Sequence, residues 1–267
     1  MASLQKFWNK CVTRDFPDPW AKRKLLRGLR QIIELPPENL QDVDALLRII
    51  RGIGLRYDTR KLYGSERRYM NSTGNGLWQI PQQLAKTMVL LSNHRIESFL
   101  EIGTHTGYTF CVLCAYLHRL NPNLKALTVD PFDQFHYYSP ARSLIPFEFK
   151  NWTSDDLKGR AFDCVLIDGD HNYDAVLKDF DNVGKYSQIC MFHDVNDDLV
   201  GASNVPRFWK EMVTSEAFSE THEFLDCAPN RRIMGIGVGI RDRAQRREPA
   251  PLDRSSAQDE LAPTVLG

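Results

Sequence analysis

The chain predicts an α/β protein, a doubly wound, seven-stranded and mostly parallel sheet whose last strand runs antiparallel. Three observations carry that prediction. Ser98–Gly107 (S-F-L-E-I-G-T-H-T-G) reads as a short buried strand and a glycine-punctuated loop, followed from Tyr108 by a helix free of Gly and Pro. Downstream, short apolar runs alternate with helix-length segments as far as Ile240. The apolar runs also end on acids, at Asp130, Asp168 and His193-Asp194.

Taken in chain order, residues 1–75 form a basic helical region and loop. Residues 1–70 hold fifteen Lys and Arg against eight Asp and Glu. Trp20–Leu35 places Leu25, Leu26, Leu29, Ile32 and Ile33 at helical spacing, with Lys22, Arg23, Lys24, Arg27 and Arg30 around them. Pro36-Pro37 ends that helix and starts a second, Glu38–Arg51. The basic side reads either as a solvated face or as a patch for an anionic surface. Leu62–Gly76 is a polar, glycine-bearing loop in which Arg67, Arg68, Tyr69 and Asn71 can fold over a ligand. Leu77–Leu91 then enters the main domain, residues 76–240, as a helix.

Within that domain the expected strands are Ser98–Ile102, Leu124–Val129, Phe147–Trp152, Phe162–Ile167, Gln188–Phe192, Glu223–Cys227 and Arg232–Ile240. Helices are expected at Tyr108–Leu120, Ser154–Leu157, Tyr173–Val183 and Val205–Ser215. A short Pro-Asn turn joins the last two strands and makes them antiparallel neighbours. Gly235, Gly237 and Gly239 recur with period two, which marks close packing on one strand face rather than a nucleotide loop. Residues 241–267, charged and rich in Pro, Ser and Ala, are expected to be disordered.

Composition excludes several classes. The formal net charge is +0 at 42% hydrophobic residues, so overall electrostatics argue against a nucleic-acid partner. No apolar run reaches the ~18 residues of a membrane helix, and Met1–Lys10 lacks an apolar signal core. Most of the six cysteines lie in apolar runs, as in a reduced cytoplasmic protein. Cys111 and Cys114 fall three apart inside a helix, on one buried face, without a second ligand pair for zinc. A homo-oligomer is compatible with all of this.

The loop after the first strand reads E-x-G-x-x-x-G, not G-x-G-x-x-G. A dinucleotide site offers amides to a pyrophosphate and has little use for an acid at the loop's start. Glu101 there suits a cationic or amine-bearing ligand such as S-adenosylmethionine. Asp130, one strand along, suits the two hydroxyls of a ribose.

F-L-E-I-G-T-H-T-G, T-V-D, F-D-C-V-L-I-D-G-D-H-N-Y and M-F-H-D-V, in that order, resemble the class I S-adenosylmethionine-dependent methyltransferases with their Rossmann-like fold. Within them the chain is similar to the small-molecule and sugar O-methyltransferase branch. The resemblance implies that Glu101, Gly103, Thr104, Thr106 and Gly107 hold the methionine part of the cofactor and Asp130 its ribose. It puts Ser154 and Asp155 on the adenine side and Asp168 beside the transfer centre. The first motif departs from the family at His105, where a glycine is usual.

A hydroxyl oxygen needs deprotonation, and His171, three residues past Asp168, is the residue expected to act as base; similar sugar methyltransferases place a histidine there. Asp168, His193 and Asp194 are candidate ligands for Mg²⁺ or another divalent ion, although related metal-dependent enzymes carry an acid where His193 stands. His136, Tyr137 and Tyr138 offer stacking faces to a sugar, glycan or phenolic acceptor. The expected function is O-methylation of a sugar, glycan or other small molecule. An RNA methyltransferase, an NAD-dependent oxidoreductase and a non-catalytic binding module on the same fold are the alternatives.

Overall fold

A computed structural model of the 267-residue chain describes residues 19–55, 69, 76–133, 141–196, 204–228 and 233–242. Seven strands form one sheet in the order β3-β2-β1-β4-β5-β7-β6. They are β1 (Ser98–Ile102), β2 (Lys125–Val129), β3 (Glu148–Lys150), β4 (Cys164–Ile167), β5 (Ile189–Asn196), β6 (Glu220–Phe224) and β7 (Met234–Ile240). The pairs from β3 across to β5 are parallel, whereas β7 is antiparallel to both β5 and β6. The doubly wound sheet with a reversed last strand is therefore present as expected. The chain builds outward from β1 to β3, then crosses back to β4 on β1's other side. That reversal opens a crevice at the carboxyl ends of β1 and β4, where such sheets bind ligands.

Each strand of the centre is apolar on both faces because helices cover both. On one side pack α1 (Pro19–Ile33), α2 (Val43–Ile53), α3 (Pro81–Leu91) and α4 (Tyr108–Leu120), which share one core cluster with Phe99, Leu166 and Met191. On the other, α5 (Tyr173–Asn182) and α6 (Val205–Thr214) join Leu100, Ile102, Ile167 and Phe192. The N-terminal helices thus belong to the same core as the sheet: Leu25, Leu29 and Ile32 of α1 and Leu46 and Ile50 of α2 are all buried. Lys22, Arg23, Arg27 and Arg30 of α1 are exposed. Among the described residues no helix is long and apolar enough to cross a membrane.

Several boundaries differ from expectation for local reasons. The helix expected at Glu38–Arg51 is a single 3-10 turn, Pro37–Asn39, followed by α2, because the Asp42 carboxylate accepts from the amides of Asp44 (2.9 Å) and Ala45 (3.1 Å) and starts a new helix there. The strand placed at Glu223–Cys227 lies three residues earlier. It is an edge strand whose mostly exposed residues carry no apolar run to mark it. Strand β5 runs on past Phe192 through His193 and Asp194, paired with β7 across a bulge between His193 and Asn196. Arg241 belongs to the fold rather than to the tail: it is 4% exposed, and its guanidinium donates to the carbonyls of Gly184 (2.8 Å) and Ser187 (2.7 Å).

The glycine stripe of β7 is packing, as its period predicts. A Cβ at Gly237 would meet the Trp209 ring at 2.7 Å and one at Gly239 the Phe218 ring at 2.5 Å. Cys111 and Cys114 are both fully buried in α4, where burial pushes their thiols up and leaves them inert.

Candidate active site

Glu101 is the fourth residue of β1 and only 1% exposed. In the parallel register it faces Thr128 of β2, whose hydroxyl donates to its Oε2 at 3.0 Å; the Thr104 hydroxyl reaches Thr128 at 2.6 Å. Burial, with the Asp168 and Asp130 charges nearby, holds the Glu101 carboxyl well above the usual carboxylate range.

The chain then turns sharply. Gly103 sits at φ +96°, and a Cβ on it would lie 2.2 Å from the Asp168 carbonyl oxygen. Only glycine allows β1 and β4 to come this close at the crevice. His105 follows at φ +45°, a left-handed conformation uncommon outside glycine, and it points its amide at Asp130 Oδ2 (2.8 Å). The Phe132 amide donates to Asp130 Oδ1 at 2.8 Å. Burial raises the Asp130 carboxyl, and these two amides pull it partly back. Gly107, at φ +74°, closes the loop by donating to Thr104 O (2.7 Å), and α4 begins. Thr106 is buried in the same loop.

Across the crevice Asp168 follows β4. Its Oδ2 accepts from Gln79 Nε2 at 2.8 Å, and its Oδ1 faces His193 Nδ1 at 3.2 Å and His171 Nε2 at 4.0 Å. Burial alone would raise Asp168, but His193, His171 and Gln79 outweigh it and hold the carboxyl below its ordinary value. Asp194, at φ +59° on the kinked end of β5, turns its buried carboxylate back into the same group: Oδ2 lies 3.1 Å from His171 Nδ1 and Oδ1 3.4 Å from His193 Nδ1. The His171 carbonyl accepts from the Asn204 amide at 2.9 Å, which fixes the loop that carries it. One acid is therefore held ionised while its neighbours Glu101 and Asp130 are held toward neutrality, the kind of separation that marks a working site.

Glu101, Gly103, Thr104, Asp130, Asp168, His171, His193 and Asp194 are thus brought to one rim. Ser154 and Asp155 are tied to α5 instead: Asn182 Nδ2 donates to Ser154 Oγ (3.1 Å) and Asp155 Oδ1 (3.0 Å), and Lys178 pairs with Asp155 at the surface. His136, Tyr137 and Tyr138, like Arg67, Arg68 and Asn71, lie outside the described residues. Sequence reading missed Gln79, which donates to Asp168 and accepts from the Thr109 hydroxyl. Its signal was a lone amide, 1% exposed, in the apolar run L-W-Q-I-P.

The donor set does not fit the divalent ion expected at Asp168, His193 and Asp194. Such an ion wants several oxygens turned toward one point. Here imidazole nitrogens stand against the carboxylate oxygens, and among the described residues no group of three or more His, Cys, Asp or Glu is arranged to hold a metal.

Residues 100–195, from the middle of β1 to the kinked end of β5, match the family model of a methyltransferase domain. This stretch is similar to a methyltransferase domain. It contains Glu101, Asp130, Asp168, His171 and Asp194, so the matched region and the acidic rim coincide. Among solved structures, the chain is similar to an O-methyltransferase from Bacillus cereus in complex with S-adenosylhomocysteine, at 13% identity over 87% of this chain and 96% of that one, with a TM-score of 0.46. It is similar to a SAM-dependent O-methyltransferase from Thermotoga maritima at 12% identity, over 66% and 70% of the two chains, with a TM-score of 0.47. The O-methyltransferase TomG from Streptomyces achromogenes, in complex with SAM, gives 16% identity over 58% and 77%, with a TM-score of 0.43. No curated protein sequence matches the chain.

Proposed function

We propose that the protein methylates a hydroxyl oxygen of a small molecule, with S-adenosylmethionine as donor and His171 as base, a sugar or glycan being the expected acceptor class. The observation that carries this reading is the buried Glu101–Asp130 pair at the crevice of the matched domain, short of cationic partners among the described residues and opened by Gly103. When bound, S-adenosylmethionine supplies a methyl group on a sulfonium whose departure needs no acid.

The chain's own residues would do the rest. Glu101 would take the ligand's ammonium, which restores the ionised form that burial disfavours. Asp130, anchored by two amides, would hold the ribose hydroxyls. Asp194 orients His171 by accepting at its Nδ1, which leaves Nε2 as the atom to take the acceptor's proton. The His171 side chain is 42% exposed, so an acceptor can reach it from solvent. The NAD-dependent reading is disfavoured because a pyrophosphate would meet the Glu101 carboxylate.

Calorimetry with S-adenosylmethionine and with NAD tests the cofactor. Binding of NAD alone overturns the reading. His171→Ala should lower turnover on a hydroxylated acceptor by about 10²-fold or more while S-adenosylmethionine affinity stays within about twofold, since His171 lies outside the Glu101–Asp130 pair. Unchanged turnover would remove His171 from the mechanism.

A further inference from the structure

We propose that the His193 imidazole stands where a metal ion would otherwise hold Asp168 and Asp194 together, so that this carboxylate pair works without a divalent cation.

Two buried carboxylates facing one another repel, and something positive or proton-donating must lie between them. In this protein His193, 5% exposed on β5, fills that place. Its Nδ1 is 3.2 Å from Asp168 Oδ1 and 3.4 Å from Asp194 Oδ1, so one nitrogen spans both acids. The outer oxygens are served as well. Asp168 Oδ2 accepts from Gln79 Nε2 at 2.8 Å, and Asp194 Oδ2 lies 3.1 Å from His171 Nδ1. Three of the four carboxylate oxygens therefore lie within 3.2 Å of a nitrogen, while Asp194 Oδ1, 3.4 Å from His193 Nδ1, makes no hydrogen bond among the described residues.

The backbone is built for this arrangement. The bulge between His193 and Asn196, together with the left-handed Asp194 at φ +59°, swings the Asp194 carboxylate back under the ring of the preceding residue. In a regular strand the side chains of 193 and 194 would point to opposite faces. Such a strained residue persists only where its surroundings impose it.

The test uses the full-length protein and Mn²⁺ as probe, with bound Mn²⁺ read by its electron paramagnetic signal and stability read as Tm. Neither readout requires turnover, so the proposal fails or stands independently of the methyltransferase reaction. The wild-type protein should take up no Mn²⁺, and its Tm should move by less than about 1 °C between chelator and about 1 mM Mn²⁺. His193→Glu puts a third carboxylate in the same place. It should bind Mn²⁺ at least about tenfold more tightly than wild type and gain several degrees of Tm, roughly 3 °C or more, on adding it. If His193→Glu does not fold, His193→Asp replaces it in that arm. Stoichiometric Mn²⁺ on the wild type, or a wild-type Tm that falls on chelation, overturns the proposal. So does a folded acidic variant that binds no better than wild type, because the His193 position would then not be one a metal could fill.

Discussion

Replacing Gly103 by alanine tests the crevice at its tightest point. A Cβ there would sit 2.2 Å from the Asp168 carbonyl oxygen, 2.6 Å from its carbonyl carbon and 2.6 Å from Gly169 Cα. All three are backbone atoms of the β4 end, and no side chain can rotate aside. Ordinary carbon–oxygen contact is about 3.3 Å, so the overlap is roughly 1 Å. Overpacking of this kind costs about 1–3 kcal/mol. The residue also sits at φ +96°, where an L side chain adds about 1–2 kcal/mol. Together they predict a loss of about 2–5 kcal/mol, hence a Tm lower by on the order of 10 °C. Relief requires the ends of β1 and β4 to part, which displaces Asp168 from Gln79 and His193, so S-adenosylmethionine affinity should fall with stability. Urea denaturation and calorimetry measure both. Gly52→Ala is the control: nothing lies within 4 Å of its Cβ, inside α2, and it should gain about 0.5–1 kcal/mol. A Gly103→Ala protein within about 0.5 kcal/mol of wild type would refute the close-approach argument.

Further outcomes are open to measurement. Asp179 is raised from 3.8 to about 6, chiefly by burial. Because its folded value lies above the unfolded one, the stability it contributes is present below about pH 4 and lost as pH rises through about 6. Asp179→Asn should therefore be more stable than wild type by about 1–3 kcal/mol at pH 7.5 and show no gain at pH 4 in chemical denaturation; equal gains at both pH values would exclude ionisation as the cause. Gln79→Met leaves Asp168 Oδ2 without its amide donor and should cost about 1–3 kcal/mol, while the reading fails if thermal denaturation shows no loss. Since Glu101 is raised well above 4.5, a cationic ligand that needs it ionised should bind more tightly as pH rises toward that raised value and release a proton to buffer. Calorimetry in two buffers of different ionisation heat detects the proton, and a Glu101→Gln variant with the same pH dependence would remove Glu101 from the ligand site.

Much of this architecture is legible in the residues themselves, and what is not has a physical cause. Strand β1 and helix α4 fall within their expected bounds because Phe99, Leu100 and Ile102 form a buried run and Gly103 and Gly107 punctuate the turn. Asp130 and Asp168 mark strand ends because the apolar runs of β2 and β4 stop immediately before them. Periodicity is silent, however, where burial is one-sided or polar. Strand β6 escapes accurate placement because its residues are largely exposed, and β5 continues beyond Phe192 because His193 and Asp194 are polar yet buried at 5% and 3% exposure. Partner choice is also invisible to spacing. Gln79 is 89 residues from Asp168, and the turning of Asp194 toward His171 depends on a bulge set by pairing with β7.

The position of β7 also shapes how the molecule comes into being. Among the described residues it is the last strand along the chain, yet it sits inside the sheet, with β5 on one side and β6 on the other. A nascent polypeptide released before Ile240 would leave the inner flank of β5 open to intermolecular pairing and the His193–Asp194 corner without the neighbour that bends it. The bend that turns Asp194 toward His171 therefore forms only once the chain as far as Ile240 has folded onto β5.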